Sequence, residues 1–478
     1  MQEADDSNID LEKMILDAND GDEITIEPGT YKIHNISITK NLTLQGNGNP
    51  DDIIIDGENK SSILLIRNDA AHLTLKNLTF INGCTDNFGG AVSIETGHVY
   101  VDYCNFINNT ALENTNAGAI SNYGTSEQKG YLLVNNSLFV NNHADHDGGA
   151  ITTCFANSYI YNSVFIGNTA HRDGGAIRVS VGGYGVVEDC IFMYNHADEW
   201  GGAYYSWASN SIINRCIFMN NTGGTNGGAV MVSGNLTMTN SIIVNNTSEK
   251  TGGSFYIQQP MFEAMTEINV HDNLITNNTS PLGKEIYIKW RQTKYFYPDF
   301  NNNDWGDEDP TDSDVIDPDH VTSRSKVTST KPSSLLDELN LDLLNRHVQN
   351  IKDYFPKNYF GDEEDTQEED TQKPQESNTN NLNQNRNPLP VDINDKTNNT
   401  SNQNINMNST NSNQNNNEQT VNGTNEAGSD SNDPHTASEI FEHASEKSIA
   451  PTAIGVILFV IVGIIALAYG YKRNSKKE

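Results

Sequence analysis

The stretches NHADHDGGAI (142–151), NTAHRDGGAI (168–177) and NHADEWGGAY (195–204) repeat one pattern three times in succession. Seven Gly-Gly-Ala-like steps occur in all, beginning at residues 89, 117, 148, 174, 201, 227 and 252, and they are 25 to 31 residues apart. Most are preceded by an aromatic or aliphatic residue with Asn three positions later, as in Phe165 and Asn168. A repeat of this length is typical of a solenoid, in which one structural unit stacks on the next.

Within a unit, short apolar runs rich in β-branched residues are bounded by Gly, Asn and Asp, as in VVEDCIFMYN (186–195). This pattern indicates short strands and turns with no helix between them, and it excludes leucine-rich and helical repeats. A period near 26 residues with about three strands per unit favours an all-β, right-handed parallel β-helix. We expect about ten coils in residues 21–312, stacked ~4.8 Å apart over about 50 Å.

Stacked coils place equivalent residues in ladders that run along the solenoid. The position two before each repeated Phe or Ile is always small: Cys104, Ser137, Ser163, Cys190, Cys216, Ser241. This pattern predicts a buried ladder of small residues, with a disulfide between Cys190 and Cys216 as the alternative. The five cysteines include no Cys-x-x-Cys pair, so their spacing indicates neither a disulfide framework nor a zinc site.

Both ends of the repeat region carry sequences that we expect to close it. Residues 9–18 (IDLEKMILDA) predict a short amphipathic helix over the first coil, so that residues 1–20 form an N-terminal cap. Trp305 marks the last coil. Within residues 313–360, the stretch SLLDELNLDLLNRHVQNIKDY (334–354) has leucines at helical spacing. This helix either covers the last coil or is unattached.

The C-terminal part of the chain predicts attachment to a membrane. Residues 361–448 are Asn-rich and polar, with almost no large apolar residue, which is typical of a disordered stalk. The next 23 residues, 449–471, carry no charge and would reach roughly 35 Å as a helix, so they predict one transmembrane helix. The basic tail, 472–478, favours a cytoplasmic C-terminus and an extracellular solenoid at the cell surface.

An extracellular solenoid requires export, but the opening residues MQEADDSNID contain no apolar signal segment. We therefore expect that a signal peptide has been removed and a start Met added, or that this sequence is a piece of a longer one. N-x-Ser/Thr acceptors such as Asn35, Asn77 and Asn235 agree with an extracellular glycoprotein. The formal charge of −34, from 29 basic and 63 acidic residues, excludes nucleic acid as a general partner.

The Phe-x-x-Asn and Gly-Gly-Ala-Ile pairs resemble the repeats of chlamydial polymorphic outer-membrane proteins. With the EPGTY opening (27–31), the NDWG closing motif (303–306), the stalk and the C-terminal span, the chain looks most like the adhesin-like surface proteins of methanogenic archaea. Two positions depart from the repeat: Gly83 stands where Asn follows the other phenylalanines, and Ala117 replaces the first Gly of its pair. The resemblance implies a pectate-lyase-like β-helix and a role in adhesion.

The turns that precede the Gly pairs concentrate charged residues in three successive coils. Asp147 and Asp173 occupy the same position one coil apart, so stacking brings them within about 5 Å. Asn, Asp and His before Gly are first of all turn formers in solvent. One alternative is a cation site, with Asp145, Asp147, Asp173 and Asp198 as candidate ligands of Ca²⁺. Another is that Asp147 and Asp173 are the acid and nucleophile of a polysaccharide lyase or glycoside hydrolase.

The residues that follow the Gly-Gly-Ala step predict a second surface. Strand alternation directs the residue after Ala inward and the second and fourth outward. The outward positions are Tyr123, Arg178, Tyr205, Trp207, Met231 and Tyr256. Exposed aromatic rings beside an arginine are suited to binding a glycan or a protein. The alternative is that a loop, or the helix predicted at 334–354, covers this face.

These patterns lead to a hypothesis of function. The chain is expected to be a membrane-anchored, non-enzymatic adhesin without a cofactor, which attaches to glycans or proteins of partner cells through the exposed aromatic face. The alternatives are a surface polysaccharide lyase or hydrolase that uses Asp147 and Asp173, and a purely structural cell-wall protein.

Overall fold

The protein is an all-β, right-handed parallel solenoid of about nine turns with little helix, which confirms the predicted fold class. A computed structural model describes residues 10–306, without residues 126, 259–265 and 290–297, and also residues 315–316 and 327–329.

Several predicted segments lie outside the described residues. They are the helix at 334–354, the stalk at 361–448, the transmembrane span at 449–471 and the basic tail at 472–478. Within the part of the chain that is described, no helix has the length and apolar character needed to cross a membrane.

Strands of successive coils form three parallel sheets, and seven of the coils contribute to the third. The first sheet has 17 strands: Asp22–Ile26, Ile36–Ile38, Leu42–Gly46, Leu64–Lys76, Val92–Asp102, Ile120–Tyr123, Tyr131–Asn135, Ile151–Cys154, Asn157–Tyr161, Ile177–Ser180, Tyr184–Glu188, Tyr204–Asn214, Val230–Thr239, Phe255–Gln258, Ile268–His271, Ile286–Lys289 and Val315–Ile316. The second sheet has 10 strands: Gly29–Lys32, Ile53–Asp56, Thr79–Ile81, Asn105–Ile107, Leu138–Val140, Val164–Ile166, Ile191–Met193, Ile217–Met219, Ile242–Val244 and Leu274–Thr276. The third sheet has seven strands of two residues: Cys84–Thr85, Thr110–Ala111, His143–Ala144, Thr169–Ala170, His196–Ala197, Thr222–Gly223 and Thr247–Ser248.

Three short elements complete the described structure. Phe300–Asn303 and Val327–Ser329 form a separate two-stranded sheet, and Pro50–Asp52 is a 3₁₀ turn. The helix Leu11–Asp17 lies within the predicted range 9–18 and begins after Asp10, whose side chain accepts a hydrogen bond from the backbone N of Lys13. Its apolar face joins the core; its role as a cap stays a prediction.

Aromatic rings form the first interior ladder. The phenylalanines of successive second-sheet strands are fully buried and stack with ring centroids 4.6–5.1 Å apart and planes within 9° of parallel. They are Phe80, Phe106, Phe139, Phe165, Phe192 and Phe218. The stacking follows from the in-register pairing of the strands, for example Phe165 with Phe192. Each ring therefore fills the space between two neighbouring coils.

Buried asparagines form a second ladder, three residues after each of these phenylalanines except Phe80, which is followed by Gly83. In Asn168, Oδ1 accepts from the backbone N and the Nδ2 of Asn142, while Nδ2 donates to the Oδ1 of Asn195 and to the backbone O of Phe139. The same bonds recur along the solenoid, at Asn195, Asn221 and others. Every hydrogen-bonding group of the buried amide is thus satisfied by the next or previous coil.

The two glycines of each Gly-Gly-Ala step are required for different structural reasons. The first, for example Gly174 with φ +68°, adopts the left-handed conformation that favours glycine. The second lies against the next coil, because a Cβ atom at Gly175 would be 2.1 Å from the carbonyl oxygen of Gly202. The motif is therefore required by backbone geometry at the corner between the third and first sheets.

The predicted ladder of small residues is confirmed. Cys104, Ser137, Ser163, Cys190, Cys216 and Ser241 are all fully buried. The five cysteines are free thiols, so the alternative disulfide between Cys190 and Cys216 is not formed. Burial and the neighbouring thiol of Cys216 raise the pKa of Cys190 well above its usual value, as expected for inert core thiols.

Candidate functional site

Asp147 and Asp173 are bridge partners in consecutive coils, which confirms their predicted stacking. Both side chains are buried, with 0% and 2% of their surface exposed. The expectation of solvated turn residues is therefore wrong for this pair. Arg172, in the turn that carries Asp173, lies within ion-pair distance of both carboxyl groups, and Arg178 of the first sheet lies within that distance of Asp147.

Three side chains surround the Asp147 carboxylate. Arg172 donates from Nε to Oδ1 and from Nη2 to Oδ2, both at 3.1 Å. The Nε of Arg178 and the Nδ1 of His146 each lie 3.0 Å from Oδ2. Burial acts to raise the pKa of Asp147, but the hydrogen bond from His146 and the charges of the two arginines outweigh it and lower the pKa. Asp147 is therefore held as a carboxylate.

Asp173 has the opposite character. Burial and the negative charge of Asp147 raise its pKa to about 7, despite the opposing charges of Arg172 and Arg178. Its Oδ2 lies 3.3 Å from the Nε of Arg172, while its Oδ1 is buried and has no hydrogen-bond partner among the described residues. Two carboxyl groups at one repeated position thus differ in protonation, which is the arrangement of an acid–base pair. Neither side chain reaches the surface in this structure.

The four predicted cation ligands do not come together. Asp147 is paired with Arg172 and Arg178, and Asp173 is buried with a raised pKa, so neither is suited to hold a calcium ion. Asp145 lies 3.1 Å from the Nε2 of His143, and Asp198 lies 2.8 Å from the Nε2 of His196. Among the described residues, no cluster of metal-ligand atoms combines these four carboxylates.

The predicted aromatic face is stacked as expected, but it is not exposed. Arg178, Tyr205, Met231 and Tyr256 are register partners in successive strands, and all are buried, with 9%, 4%, 0% and 3% of their surface exposed. The expectation of an exposed binding face is wrong for these residues.

Neighbouring rings account for part of this burial. Trp200 packs on Tyr205 with ring centroids 6.3 Å apart, and Tyr287 packs on Tyr256 at 5.8 Å. Tyr123 and Trp207 lie on the adjacent ladder and are half-buried. Their role as ligand-binding residues stays a prediction.

A different aromatic surface lies on the later strand segments of the first sheet. It consists of His72, His98, Tyr100, Tyr131, Tyr159, Tyr161 and Tyr184, and we call it the aromatic stripe. His72 is exposed and the others are half-buried. The strands that carry them pair in order over five coils, from Leu64–Lys76 to Tyr184–Glu188, so the aromatic stripe extends about 19 Å.

The rings of the aromatic stripe contact one another. Centroid distances are 4.6 Å for His72 and His98, 5.3 Å for His98 and Tyr131, 5.2 Å for Tyr131 and Tyr159, and 6.0 Å for Tyr159 and Tyr184. Partial burial raises the pKa of each tyrosine. The same effect, with the neighbouring His72, lowers the pKa of His98. The tyrosines and His98 of the aromatic stripe are therefore uncharged at neutral pH.

Sequence reasoning missed the aromatic stripe, although a signal was present. Tyr100, Tyr131, Tyr159 and Tyr184 occur once in each of four successive coils, at intervals of 31, 28 and 25 residues that are close to the repeat length. They alternate between two register ladders, because Tyr131 and Tyr184 pair with Asn157 whereas Tyr100 and Tyr159 pair with Leu133. No single repeat position therefore carries an aromatic residue in every coil.

Comparison with known proteins supports the fold. A family model described as "Right handed beta helix region" matches residues 156–304. A comparison with curated proteins finds no match.

Solved structures similar to this chain include polysaccharide lyases. A mannuronic-acid-specific polysaccharide family 6 lyase from human gut microbiota is 12% identical, with a TM-score of 0.35, and the match covers 70% of this chain and 92% of that one. The PL6 family alginate lyase AlyGC is 15% identical (TM-score 0.33; 67% and 52% covered), and a PL6 alginate lyase in complex with a trisaccharide is 13% identical (TM-score 0.28; 64% and 84% covered). At these values the likeness carries no argument about substrate or activity.

Proposed function

We propose that the solenoid is a non-enzymatic attachment module, displayed at the cell surface, that binds glycans of a partner cell along the aromatic stripe. One observation carries this proposal: five successive coils present partly exposed aromatic rings in one continuous row. Display at the surface rests on the span predicted at 449–471. This proposal replaces the buried face around Tyr205 as the binding surface.

The aromatic stripe has the properties that sugar recognition requires. Tyrosine rings give rigid apolar area at low entropic cost, and their hydroxyl groups add hydrogen bonds at the edge. Polar side chains lie on the neighbouring ladder positions: Asn157 is the register partner of both Tyr131 and Tyr184, and Asn135 is the partner of Tyr161. Rings that bind sugar faces next to amides that bind hydroxyl groups form a complementary surface for an extended chain.

The charge of the protein restricts the class of glycan. The chain carries a formal charge of −34, and Asp102 and Glu188 lie on the same register ladder as Tyr161, in the order Asp102, Asn135, Tyr161, Glu188. An anionic polysaccharide would be repelled by this field. We therefore propose neutral glycans as the ligands.

The test uses the full-length chain on a glycan array and in attachment to whole cells. Tyr131→Ala and Tyr159→Ala are expected to lower binding at least tenfold, whereas Tyr131→Phe should lose less, because it keeps the ring. Tyr194→Ala is the matched control, since Tyr194 is half-buried and follows a strand of the second sheet. Binding that is absent in the unmodified protein, or unaffected in both alanine variants, would refute the proposal.

A polysaccharide lyase or hydrolase is the second candidate. The observation in its favour is Asp173, with a pKa of about 7 and a buried carboxyl oxygen without a partner. Its burial weighs against it, since a substrate cannot reach either carboxyl group without an opening of the turn. Release of reducing ends from a panel of polysaccharides, abolished in Asp173→Asn but not in Asp198→Asn, would favour the enzyme; no release excludes it for that panel.

A further inference from the structure

We propose that His143, Asp145 and His171 form a binding site for one divalent transition-metal ion, and that Zn²⁺ is the ion the donor set fits. The three residues occupy the outer side of the third sheet and the turn that follows it. One ligand atom from each lies within 4.8 Å of the other two. The site is separate from the aromatic stripe, so the inference does not depend on the proposed function.

The fold brings the three side chains together. His143 and Asp145 are two residues apart on an extended segment, so their side chains point to the same side. Asp145 and His171 are equivalent residues of consecutive coils, because their backbone N atoms donate to the carbonyl oxygens of Ala111 and Ala144, which pair in register. His171 therefore stands one coil beyond Asp145, and its ring centroid is 5.0 Å from that of His143.

Neighbouring groups orient the ligand atoms. The Nδ1 of His143 lies 2.8 Å from the Oγ1 of Thr169, and the Oδ2 of Asp145 accepts a hydrogen bond from the backbone N of Glu113 at 2.8 Å. These bonds leave the Nε2 of His143 and the Oδ1 of Asp145 directed at each other, 3.1 Å apart. Ligands of metal sites are typically oriented in this way, by a hydrogen bond at the atom that does not bind the ion.

The distances between the ligand atoms fit a tetrahedrally coordinated ion with little movement of the side chains. Ligands that bind zinc at ~2.0–2.1 Å in tetrahedral geometry are roughly 3.3 Å apart. The pair of His143 and Asp145 already has this separation, at 3.1 Å. His171 is exposed, so rotation of its side chain can close the remaining distance.

The donor chemistry selects the class of metal. Two imidazole nitrogens and one carboxylate are ligands of Zn²⁺ and of related transition metals. Ca²⁺ takes six to eight oxygen ligands, and the cluster supplies a single carboxylate, so calcium is disfavoured. Three protein ligands leave one position open to water or to a donor group of a bound molecule.

Other histidine–aspartate pairs provide an internal comparison. His196 with Asp198 and His271 with Asp272 have N–O distances of 2.8 Å each. Within the described ranges, neither pair has a third His, Cys, Asp or Glu ligand atom within 4.8 Å of both of its own ligand atoms. The second imidazole, supplied by His171, is therefore what distinguishes the proposed site from an ordinary surface ion pair.

The experiment is a calorimetric titration of the full-length, metal-free chain with ZnCl₂, prepared without a polyhistidine tag. We expect saturable binding of one ion per chain. His143→Ala and His171→Ala should each weaken binding at least tenfold, and Asp145→Asn should also weaken it. His271→Ala, which removes the imidazole of a two-residue pair, should bind as the unmodified chain does. Added Ca²⁺ should not compete.

Two further measurements keep the result unambiguous. Far-UV circular dichroism shows whether each variant is folded. If His171→Ala is unfolded, His171→Gln, a polar change at an exposed position, replaces it in the titration. Equimolar Zn²⁺ should raise the unfolding temperature of the unmodified chain and leave that of His171→Gln unchanged. Absence of saturable binding, or equal affinity in the two histidine variants and the unmodified chain, would overturn the proposal and leave His143 and Asp145 as a surface ion pair.

Discussion

Arg172 binds both carboxylate oxygens of Asp147 across one step of the coil stack, through Nε and Nη2 at 3.1 Å each. The arginine side chain is 40% exposed, whereas the aspartate side chain has no exposed surface. The pair therefore joins a solvent-facing cation to a buried anion, and the ion pair ties together two coils that otherwise contact through backbone hydrogen bonds and buried ladders.

This geometry predicts the cost of removing the arginine. Arg172→Ala should lower the free energy of unfolding by about 2–3 kcal/mol, because it leaves the buried Asp147 with Arg178 as the remaining cation within ion-pair distance among the described residues. The measurement is urea unfolding followed by circular dichroism.

Arg215→Ala is the matched control for that measurement. Arg215 is also partly exposed, and it binds Asp189 in the neighbouring coil at 2.7–2.8 Å, but Asp189 retains 19% exposure. This substitution should cost less than ~1 kcal/mol. Equal losses in the two variants would show that burial of the anion has no special effect.

Asp173 predicts a pH dependence of stability with a definite sign. The pKa of Asp173 is about 7 in the folded chain and about 3.9 in an unfolded one. Between these values the folded state alone holds the proton, so the free energy of unfolding falls as pH rises from about 4 to 7 and is level above that. Three pKa units correspond to about 4 kcal/mol as an upper limit.

Asp173→Asn isolates this contribution. Asparagine does not titrate, so the fall between pH 4 and pH 7 should be smaller in the variant. The charged groups that act on Asp173 are Asp147, Arg172, Arg178 and Glu199, and all of them remain. Urea midpoints measured at intervals of one pH unit provide the test. Parallel curves for the two proteins would show that Asp173 is ionised throughout this range.

The buried asparagine ladder predicts a large effect of a small change. Asn195→Ala removes the Oδ1 that accepts from the backbone N and Nδ2 of Asn168, and the Nδ2 that donates to Phe165 and Asn221. Buried groups left without partners cost about 1–3 kcal/mol each, so we expect a loss of at least ~3 kcal/mol.

A surface asparagine provides the comparison for this loss. Asn210 is exposed and accepts one hydrogen bond from the Nδ2 of Asn235 at 2.7 Å. Asn210→Ala should change the stability by less than ~1 kcal/mol, because water replaces the lost bond. A similar loss at both positions in chemical unfolding would mean that the ladder adds nothing beyond ordinary polar contacts.

The sequence predicted what the repeat itself encodes, namely the coils, the stacking and the identity of the inward ladders. Alternation also placed Tyr205 and Tyr256 on the outer side of the first sheet correctly. It could not show their burial, because alternation distinguishes the two sides of a strand and does not reveal what packs on the outer one.

The candidate sites depended on contacts between coils, which a single repeat does not display. Asp147 was expected in solvent, yet its partners Arg172 and Arg178 follow 25 and 31 residues later. The proposed metal ligands likewise come from two coils. The candidate sites are therefore formed by residues at which neighbouring repeats differ from the consensus. The contacts between these residues can be seen only when the coils are stacked in register.

The exception in the glycine motif leads to the last prediction. Ala117 stands where the other coils have the first glycine, and it adopts the same left-handed conformation, with φ +69° against +68° at Gly148. Because a Cβ atom makes this conformation unfavourable by about 1–2 kcal/mol, Ala117→Gly should stabilise the fold. The greater freedom of glycine in the unfolded chain offsets part of the gain, so we expect a net increase of about 0.5–1 kcal/mol in the free energy of unfolding. Gly148→Ala is the reverse experiment and should destabilise by more, since its Cβ would also lie 2.2 Å from the Oγ1 of Thr152. Thermal and urea unfolding of both variants measure these effects, and a loss of stability in Ala117→Gly would show that the methyl group of Ala117 contributes more through its packing than its backbone conformation costs.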